Sequence, residues 1–364
     1  MNTIIMQDIE RITSSKLINW KRFHNKTVLI SGANGMLPSY MVETLLYLKR
    51  KFGYNVKVIA LVRNLEKAKN VFADYSYNPM LEYLVQDVAE PIKYERKVDF
   101  IIHAASQAAP FYYGVDPVGT FKANTIGTIN LLELAKEKTV EGFLYFSTGS
   151  VYGDVPGEKV LLDENVYGNV NILEARNCYA ESKRAGENAC VCYNYQYKVP
   201  IRIVRIFHTF GPKVNLNDGR VFSDFCKNIL NSENIVLKSD GSAKRSFLYV
   251  ADAVIAYFKV LLDGEDAKAY NVGGDEAHEI SIKDLSELLI GLYPEKKLKA
   301  IFDINKDDLT YTKMRTPQKQ VLPKLDRISS LGWKQSTSVR DCFKRTIEAL
   351  SISYNAEKEG NEYN

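Results

Sequence analysis

Two side chains of opposite chemical character lie one helical turn apart near the middle of the chain. Tyr179 and Lys183 occur in a strongly helical segment, where the i, i+4 spacing places the phenol and the ammonium on the same face. A free tyrosine ionises near pH ~10 and is a poor base at neutrality, but a nearby cation favours the phenolate and lowers its pKa. The pair therefore predicts removal of a proton from a sugar or alcohol hydroxyl while a nicotinamide takes the hydride.

A glycine-rich turn follows the apolar run 27–30, which has the composition of a buried parallel strand. A strand, a glycine turn and a helix in this order let backbone N–H groups meet a pyrophosphate. Candidate cofactor contacts in the turn are Gly32, Asn34, Gly35 and Met36. Pro38 stands where a third glycine is usual. A proline in the first helical turn is compatible with the helix. The third glycine normally allows the helix to pack closely on the sheet, and this chain does not have it.

The end of the second predicted strand should carry the residue that contacts the adenosine ribose. An acidic residue there selects NAD, whereas an arginine can hold the 2′-phosphate of NADP. The chain has Arg63 at this point, and this residue by itself favours NADP. The alternative is that Arg63 only caps the strand end at the surface and does not contact the cofactor. Asp87 and Val88 follow the next strand and are candidate contacts to the adenine, with an ordinary strand-end loop as the alternative.

Strands alternating with helices over 200 residues are needed to position these groups, and they predict a doubly wound parallel sheet. The predicted strands are 27–30, 56–62, 84–85, 100–102, 142–146, 200–206 and 270–274. The predicted helices are 7–24, 41–51, 65–73, 116–137, 177–197, 281–293 and 339–350. The fold class is therefore α/β, a Rossmann-type sheet with a smaller C-terminal substrate-binding lobe.

Changes in the pattern along the chain divide it into four parts. We expect a helical extension over 1–25 and a dinucleotide-binding domain over 26–205 plus about 248–275. The regular alternation ends after 211–212, which predicts a substrate-binding lobe over 206–247 plus 276–350. The polar residues 351–364 predict a flexible tail.

Composition narrows the function classes. The 364 residues are 46% hydrophobic, enough for a substantial core, and the formal net charge of +4 does not indicate nucleic-acid binding. No apolar run approaches the ~18 residues of a membrane span, and the N-terminus does not have the pattern of a signal peptide. The cysteines form no metal-ligand spacing with the four histidines, so we expect no metal site, buried and reduced thiols, and a cytoplasmic enzyme. The cysteines are Cys178, Cys190, Cys192, Cys226 and Cys342.

Several short blocks along the chain match one family in order. They are SGANG at 31–35, HAAS at 103–106, NTIGTINLL at 124–132, STGSVYG at 147–153, YAESK at 179–183, RIFHTFGP at 205–212, DGRVF at 218–222 and RSFLYV at 245–250. On these blocks the chain resembles the extended short-chain dehydrogenase/reductases, and within them the nucleotide-sugar epimerases, dehydratases and UDP-glucuronate decarboxylases. The resemblance covers about 26–275 and, more loosely, 276–350.

The resemblance implies a role for each matching residue. Tyr179 corresponds to the family's base, Lys183 to its partner on the nicotinamide ribose, and Thr148 to the hydroxyl that bonds the 4-OH of the sugar. Ala104 and Ala105 would line the cofactor. Ser150, His208, Arg220 and Arg245 would face the substrate, a nucleoside-diphosphate sugar. An arginine suits the diphosphate because its planar fork binds phosphate bidentately, with surface salt bridges as the alternative.

His208 replaces the asparagine that the family usually has before Thr-Phe-Gly-Pro. A neutral imidazole can replace the amide as a hydrogen-bond donor, but it adds a titratable group. A buried structural histidine is the alternative.

The residues after Thr148 separate the reactions known in this family. A 4,6-dehydratase has an Asp-Glu pair there and a UDP-glucuronate decarboxylase has Ser-Glu, whereas this chain has Gly149 and Ser150, which cannot act as general acids near neutrality. Small or hydroxylated residues resemble the 4-epimerases. We therefore favour a 4-epimerase that works through a transient 4-keto intermediate, with UDP-glucuronate decarboxylase as the alternative because 205–250 strongly resembles that branch.

Three further readings differ from the 4-epimerase in chemistry or in class. A 4,6-dehydratase would need its acid from another residue. An NADP-dependent sugar-ketone reductase has Arg63 as its main support, whereas epimerisation consumes no net cofactor and is expected to retain NAD. A redox-sensing binding module without catalysis is disfavoured because Tyr179, Lys183 and Thr148 are all present.

Two predicted helices, 116–137 and 177–197, carry apolar residues on more than one face. These residues are Ile126, Ile129, Leu132, Leu134, Ala189, Val191 and Tyr193. One face must contact the sheet, and members of the family resembling this chain pair through these two helices. We therefore expect a C2 homodimer.

Overall fold

The computed structural model describes residues 2–157, 159–303 and 320–361. Its strands in chain order are β1 (Lys26–Ser31), β2 (Val56–Val62), β3 (Leu81–Val85), β4 (Phe100–His103), β5 (Gly142–Thr148), β6 (Lys159–Leu162), β7 (Ile201–Ile206), β8 (Thr209–Phe210), β9 (Ile235–Leu237), β10 (Lys244–Ser246), β11 (Leu248–Tyr249), β12 (Lys268–Val272), β13 (Glu279–Ser281), β14 (Ala300–Phe302) and β15 (Gln320–Pro323).

In the large domain the predicted helices 41–51, 65–73, 116–137 and 177–197 are present within a few residues, whereas the helix over 250–263 was not predicted. The helices in chain order are α1 (Thr3–Ser14), α2 (Met36–Phe52), α3 (Leu65–Val71), α4 (Pro110–Val115), α5 (Pro117–Lys138), α6 (Cys178–Tyr197), α7 (Val221–Asn231), α8 (Val250–Asp263), α9 (Ile282–Leu292), α10 (Asp326–Ser330) and α11 (Val339–Asn361). None of these helices in the described ranges is long and apolar enough to cross a bilayer.

The centre of the molecule is a seven-stranded sheet with the order β12-β7-β5-β4-β1-β2-β3. All neighbouring strands in it are parallel, which confirms the predicted α/β class. Chain order reverses between β1 and β4, so a crevice opens beyond their carboxyl ends. In open parallel sheets this switch point is where ligands bind.

The apolar strand residues point alternately to the two faces of the sheet. Val28 and Ile30 pack with α2 and α8, whereas Leu29 packs with α5 and α6. This period of two is that of an extended strand, and helices covering both faces explain why the strands are almost continuously apolar.

A four-stranded sheet, β13-β10-β15-β6, lies outside the large sheet. The segment β6 pairs with β15 in parallel from Lys159 to Leu162, although the sequence places it in the dinucleotide-binding domain. The strands β10 and β13 pair antiparallel. We propose that β6 belongs with the substrate-binding lobe and that the lobe otherwise comprises 206–247 and 276–350, as predicted. Most of the lobe therefore follows β7 in the chain.

The two ends of the chain differ from expectation. The helix predicted over 7–24 is wrong in extent. Helix α1 ends at Ser14 because Ser15 has an extended backbone and its hydroxyl accepts the N–H of Leu17 (3.3 Å), which competes with the helix. At the other end, α11 continues to Asn361 through part of the predicted tail, and 362–364 lie outside the described residues.

The first helix is joined to the rest of the fold by a buried carboxylate. Asp8 accepts hydrogen bonds from the Tyr40 hydroxyl (3.2 Å) and the Tyr249 hydroxyl (2.6 Å). Arg345 in α11 pairs with the same carboxylate at 2.7 Å. The predicted N-terminal extension is therefore packed against α2, the start of α8 and the last helix.

Candidate active site

The glycine turn after β1 and the segment after β4 meet at the switch point of the sheet. Gly32 has a φ of +63°, and a Cβ on it would lie 2.8 Å from the Ala105 Cα. No other residue could adopt this conformation so close to a neighbouring backbone without strain. Glycine at this position therefore keeps the turn and the Ala104–Ala105 segment in contact.

A chain of hydrogen bonds through His103 holds the same two segments together. Thr128 donates its hydroxyl to the Asn124 carbonyl (2.6 Å) and lies 3.0 Å from His103 Nε2, so Nε2 carries the proton and Nδ1 accepts from Ser31 (2.8 Å). The Ser31 hydroxyl in turn accepts the N–H groups of 104 and 105, each at 3.1 Å. Burial and the Lys183 charge lower the pKa of His103 well below its usual value, which keeps the ring neutral.

The N-terminus of α2 opens into the crevice. Gly35 is its N-cap and brings no side chain that could cap the first N–H groups, which can therefore face an anion. Pro38 is buried in the first turn of α2. A packed proline therefore occupies the place of the usual third glycine. The four residues predicted in this turn, Gly32, Asn34, Gly35 and Met36, all line the cleft.

Arg63 and Asp87 extend from the ends of adjacent strands and face each other. The guanidinium NH1 lies 3.7 Å from the Asp87 carboxylate, which gives Arg63 a partner other than a 2′-phosphate. Val88 is buried against Gly127, where a Cβ would lie 2.7 Å from its side chain, and its carbonyl accepts from Asn130 (3.0 Å). All three predicted residues, Arg63, Asp87 and Val88, line the cleft.

The cleft is about 2220 Å³ in volume and runs from the glycine turn to α7 and β10. It brings together the residues predicted for the cofactor, for catalysis and for the substrate: Gly32, Asn34, Gly35, Met36, Arg63, Asp87, Val88, Ala104, Ala105, Thr148, Ser150, Tyr179, Lys183, His208, Arg220 and Arg245. Its size is sufficient for a dinucleotide and a nucleotide sugar together, since single small-molecule sites occupy about 300–1,000 Å³.

Tyr179 lies at the start of α6 beside Thr148. Burial raises the pKa of Tyr179 above its usual value, contrary to the expected lowering, and its hydrogen bond with Thr148 and the positive charge of Arg220 oppose this only in part. The expectation that Lys183 lowers this pKa was wrong, because Lys183 donates instead to the Phe146 carbonyl (2.6 Å). The cation that favours the phenolate comes from the beginning of α7.

Lys183 is almost completely buried, with 2% of its surface exposed. Its ammonium lies 4.9 Å from the Tyr145 ring centroid, and burial lowers its pKa to about 7. A lysine near its pKa at neutrality gains its full charge when an electron-rich ligand approaches. This position on the cleft wall can hold ribose hydroxyls.

Tyr113 is a site residue that the sequence reasoning missed. Its ring stacks on the Tyr179 ring, and its hydroxyl donates to the Ala108 carbonyl (2.9 Å). The only signal in the sequence was an aromatic run at 111–113, which has no fixed spacing to Tyr179. The helix α4 that carries Tyr113 was not predicted either.

Gly149 lies directly under an aromatic ring. A Cβ on this residue would be 2.8 Å from the Phe207 ring, so the ring occupies the space of any side chain at 149. Thr148 accepts the N–H of Ser150 (3.2 Å) and donates to its hydroxyl (3.3 Å). Among the described residues, the side-chain partners of the Thr148 hydroxyl are therefore the hydroxyls of Ser150 and Tyr179 and not a carboxylate.

His208, Arg220 and Arg245 all line the cleft. His208 is exposed to the open cleft and is not a buried structural histidine. Desolvation by the cleft walls and the positive charges of Arg245 and Arg220 lower the pKa of its ring below the usual value, so the ring is neutral at physiological pH. Arg220 donates to the Ala108 carbonyl (2.9 Å), which places it near Tyr113 and Tyr179. Two arginines beside a neutral donor suit an anionic substrate.

The family model described as "NAD dependent epimerase/dehydratase family" matches residues 28–273. The chain belongs to this family. Its members are enzymes, and NAD is their cofactor. The resemblance inferred from the sequence motifs is therefore confirmed, as are the NAD cofactor and the assignment as an enzyme.

Curated members of the epimerase/dehydratase family are similar over nearly the whole chain. UDP-glucuronic acid decarboxylase 5 of Arabidopsis thaliana is 33% identical over 318 residues, 87% of this chain and 87% of the relative. UDP-glucuronic acid decarboxylase 1 of Danio rerio is 32% identical over 332 residues, 90% of this chain and 73% of the relative.

Solved structures show the same fold. A UDP-glucuronic acid 4-epimerase from Bacillus cereus, crystallised with UDP-glucuronic acid and NAD, has a TM-score of 0.73 at 21% identity, covering 90% of this chain and 100% of its own. An epimerase from Methanothermobacter thermautotrophicus has a TM-score of 0.76 at 20% identity, covering 98% of both chains.

The residues of this family member fit NAD. At Gly32 a Cβ would fill the space between the glycine turn and Ala105, so only glycine leaves that space open. The start of α2 can receive a pyrophosphate, and the buried Lys183 lines the same cleft. Among the described residues, no cluster of three His, Cys, Asp or Glu side chains could hold a metal ion. The five cysteines are free thiols; Cys192 is exposed, contrary to the expectation that all would be buried.

Proposed function

We propose that the protein is a nucleotide-sugar 4-epimerase that oxidises C4 and reduces it again from the opposite face. NAD, when bound, supplies a hydride acceptor and donor for this step. Tyr179 removes the proton of the 4-hydroxyl, and Thr148 holds the same oxygen through its hydroxyl. Tyr179 takes the proton when C4 is oxidised and returns it when C4 is reduced. The reaction therefore needs no second acid or base.

The observation that carries the proposal is the contact of Gly149 with the Phe207 ring. A dehydratase or decarboxylase of this family would have a polar side chain at 149 and a glutamate at 150. Here the ring fills the first position, since a Cβ on Gly149 would lie 2.8 Å from it, and Ser150 occupies the second. A serine hydroxyl does not donate or accept a full proton near neutrality, so this site supports hydride transfer and return rather than elimination.

We infer that the substrate carries negative charge where it lies against the cleft wall around His208. Arg220 and Arg245 would contact the diphosphate, and the neutral His208 would donate a hydrogen bond without adding charge. UDP-glucuronic acid is the compound named for the curated relatives at 33% identity. It is therefore the first substrate to test.

UDP-glucuronate decarboxylation is the second candidate, favoured by the length and identity of those relatives. The 4-ketone of a uronate is a β-keto acid, in which the C5–C6 bond can break with release of CO2 and protonation at C5. In this chain that proton would have to come from water or from Ser150-bound water. The same oxidation at C4, in which Tyr179 takes the hydroxyl proton and NAD would take the hydride, would precede both outcomes.

The remaining readings lose support. Arg63, the basis for an NADP-dependent reductase, pairs with Asp87, and the family uses NAD. A 4,6-dehydratase would need acidic residues at 149 and 150, where this chain has Gly149 and Ser150. A non-catalytic sensor would have no need of the Thr148–Tyr179 hydrogen bond.

The deciding experiment incubates the NAD-loaded protein with UDP-glucuronic acid carrying deuterium at C4, followed by NMR and mass spectrometry. The 4-epimerase predicts inversion at C4 with unchanged mass, the label retained at C4, and no solvent deuterium at C5. Release of CO2 would support the decarboxylase and refute the epimerase. If UDP-glucuronic acid does not react, UDP-, TDP-, GDP- and CDP-hexoses are tested by the same criteria.

A further inference from the structure

Glu187 lies on the same face of α6 as the two residues of the proposed oxidation step. It follows Lys183 by one helical turn and Tyr179 by two, so all three side chains project toward β5. Its side chain is buried. A buried carboxylate is costly unless it is paired and hydrogen-bonded, so its partners indicate what it holds.

The partners of Glu187 come from two neighbouring strands. Ser147 in β5 donates its hydroxyl to Oε1 at 2.5 Å. Arg205 in β7 donates Nε to Oε1 (3.0 Å) and NH2 to Oε2 (2.8 Å). Ser147 and Arg205 are also paired residues in the sheet, so one carboxylate ties α6 to two adjacent strand ends.

The place of Ser147 in β5 connects this carboxylate to the active site. The preceding residue, Phe146, accepts the Lys183 ammonium through its carbonyl (2.6 Å). The following residue, Thr148, is hydrogen-bonded to Tyr179. Three consecutive residues of β5 therefore each contact one of three residues spaced a turn apart on α6.

We propose that Glu187 is a positioning residue: with Ser147 and Arg205 it fixes α6 against β5, and its carboxylate favours the charged form of Lys183 that binds the cofactor. This inference rests on the proposed roles of Tyr179 and Lys183 and not on the identity of the sugar.

The groups around Lys183 show why the charge of Glu187 matters. His103 on β4 is neutral, and burial raises the pKa values of Tyr145 on β5 and Cys190 on α6 well above their usual ranges. Burial lowers the pKa of Lys183, and Cys190 and Glu187 oppose this. Since the thiol and the phenol are protonated near neutrality, Glu187 supplies the negative charge.

The test compares two substitutions that should act in opposite directions. Glu187→Gln removes the negative charge and leaves the Arg205 cation, so Lys183 should lose its proton at lower pH, by about one pH unit. Arg205→Gln leaves Glu187 unopposed, so Lys183 should keep its proton to higher pH. A general loosening of the fold would not give opposite signs.

Two measurements that need no sugar follow the change. The protonation of Lys183 is read from the Cε signal of ¹³C-lysine-labelled protein between pH 5 and pH 10, assigned with Lys183→Met. The affinity for NAD is measured by calorimetry over the same range and should weaken above the midpoint of Lys183 in each variant. Glu181→Gln is the matched control, because Glu181 is on the same helix and its pair with Arg184 (3.5 Å) is partly exposed to solvent.

Opposite shifts of the lysine midpoint, with Glu181→Gln unchanged, support the proposal. Shifts in the same direction, or no shift in folded Glu187→Gln, overturn it. If circular dichroism shows that Glu187→Gln does not fold, Arg205→Gln decides alone: an upward shift supports the proposal and an unchanged midpoint rejects it. Because NAD alone is used, failure here is distinct from failure to epimerise a sugar.

Discussion

The Tyr113 ring stacks on the Tyr179 ring with centroids 4.9 Å apart and an interplanar angle of 14°. Stacked aromatic pairs contribute about 0.5–1.5 kcal/mol beyond the area they bury. Tyr113→Ala should therefore lower turnover by about 2- to 10-fold, because the base loses one wall that orients its ring. Tyr113→Phe keeps the ring and should stay close to wild type; equal losses in both variants would instead point to the Tyr113 hydroxyl.

Tyr179→Phe tests the base itself. The ring and its stacking are preserved while the proton acceptor is removed, so turnover should fall by ~10²–10⁴-fold with NAD binding largely intact. Both quantities are measured on the same preparation. Tyr167→Phe is the control, since Tyr167 is 83% exposed and should not matter. Retention of more than about a tenth of the activity by Tyr179→Phe would remove Tyr179 from the mechanism.

Lys183 should make stability depend on pH in the cofactor-free protein. Its pKa is about 7 in the folded chain and ordinarily 10.5, so between these values the unfolded chain binds more protons and the stability of the folded state rises with pH. Relative to Lys183→Met, the free energy of unfolding of wild type should rise by up to about 1.4 kcal/mol per pH unit from pH 7 to 9. Urea titrations of both proteins measure this difference; parallel curves would show that the ammonium is not desolvated.

The Gly149–Phe207 contact predicts a paired result. Gly149→Ala should displace the ring, reduce turnover and cost about 1–3 kcal/mol of stability, as overpacking does. Phe207→Leu in the same chain makes room for the methyl group and should restore part of both losses. Activity and thermal unfolding are measured for the single and double variants. Additive losses in the double variant would show that the ring does not constrain residue 149.

The expected homodimer can be tested on the outer face of α5 and α6. Leu132 and Leu134 pack inside the fold, whereas Ile126, Ile129 and Val191 are 40–44% exposed and remain candidates for a subunit contact. We expect light scattering to report a dimer at micromolar concentration. Ile129→Glu should shift it to a monomer, because a charge would be buried in the interface.

The control for this experiment is Leu161→Glu. Leu161 is 49% exposed on β6, away from α5 and α6, and its substitution should leave the mass unchanged. A wild-type monomer would contradict the homodimer.

The large sheet could be predicted because its signals are local. The alternation of Val28, Leu29 and Ile30 and the turn at Gly32 specify a buried strand and its end within a few residues. In contrast, β6 pairs with β15, about 160 residues later in the chain, and no periodicity reports such a partner. The smaller sheet was therefore not predicted.

The site residues could be named from motifs, but their partners could not. The spacing of Tyr179 and Lys183 gives a common face, yet Lys183 donates to a backbone carbonyl and Arg220 supplies the charge near the phenol. Similarly, the choice between two cofactors at Arg63 depended on Asp87, which belongs to another strand. Such pairings depend on tertiary structure.

The Asp8–Arg345 pair has a consequence for how the protein is made. The two residues are separated by 337 positions, and the Asp8 carboxylate is buried, so its charge is compensated only after Arg345 has been synthesised. During translation α1 leaves the ribosome long before Arg345, so it cannot reach its final place until the residues between them have followed. Since contacts of large sequence separation form slowly, α1 should dock late although it is synthesised before the strands of the large sheet.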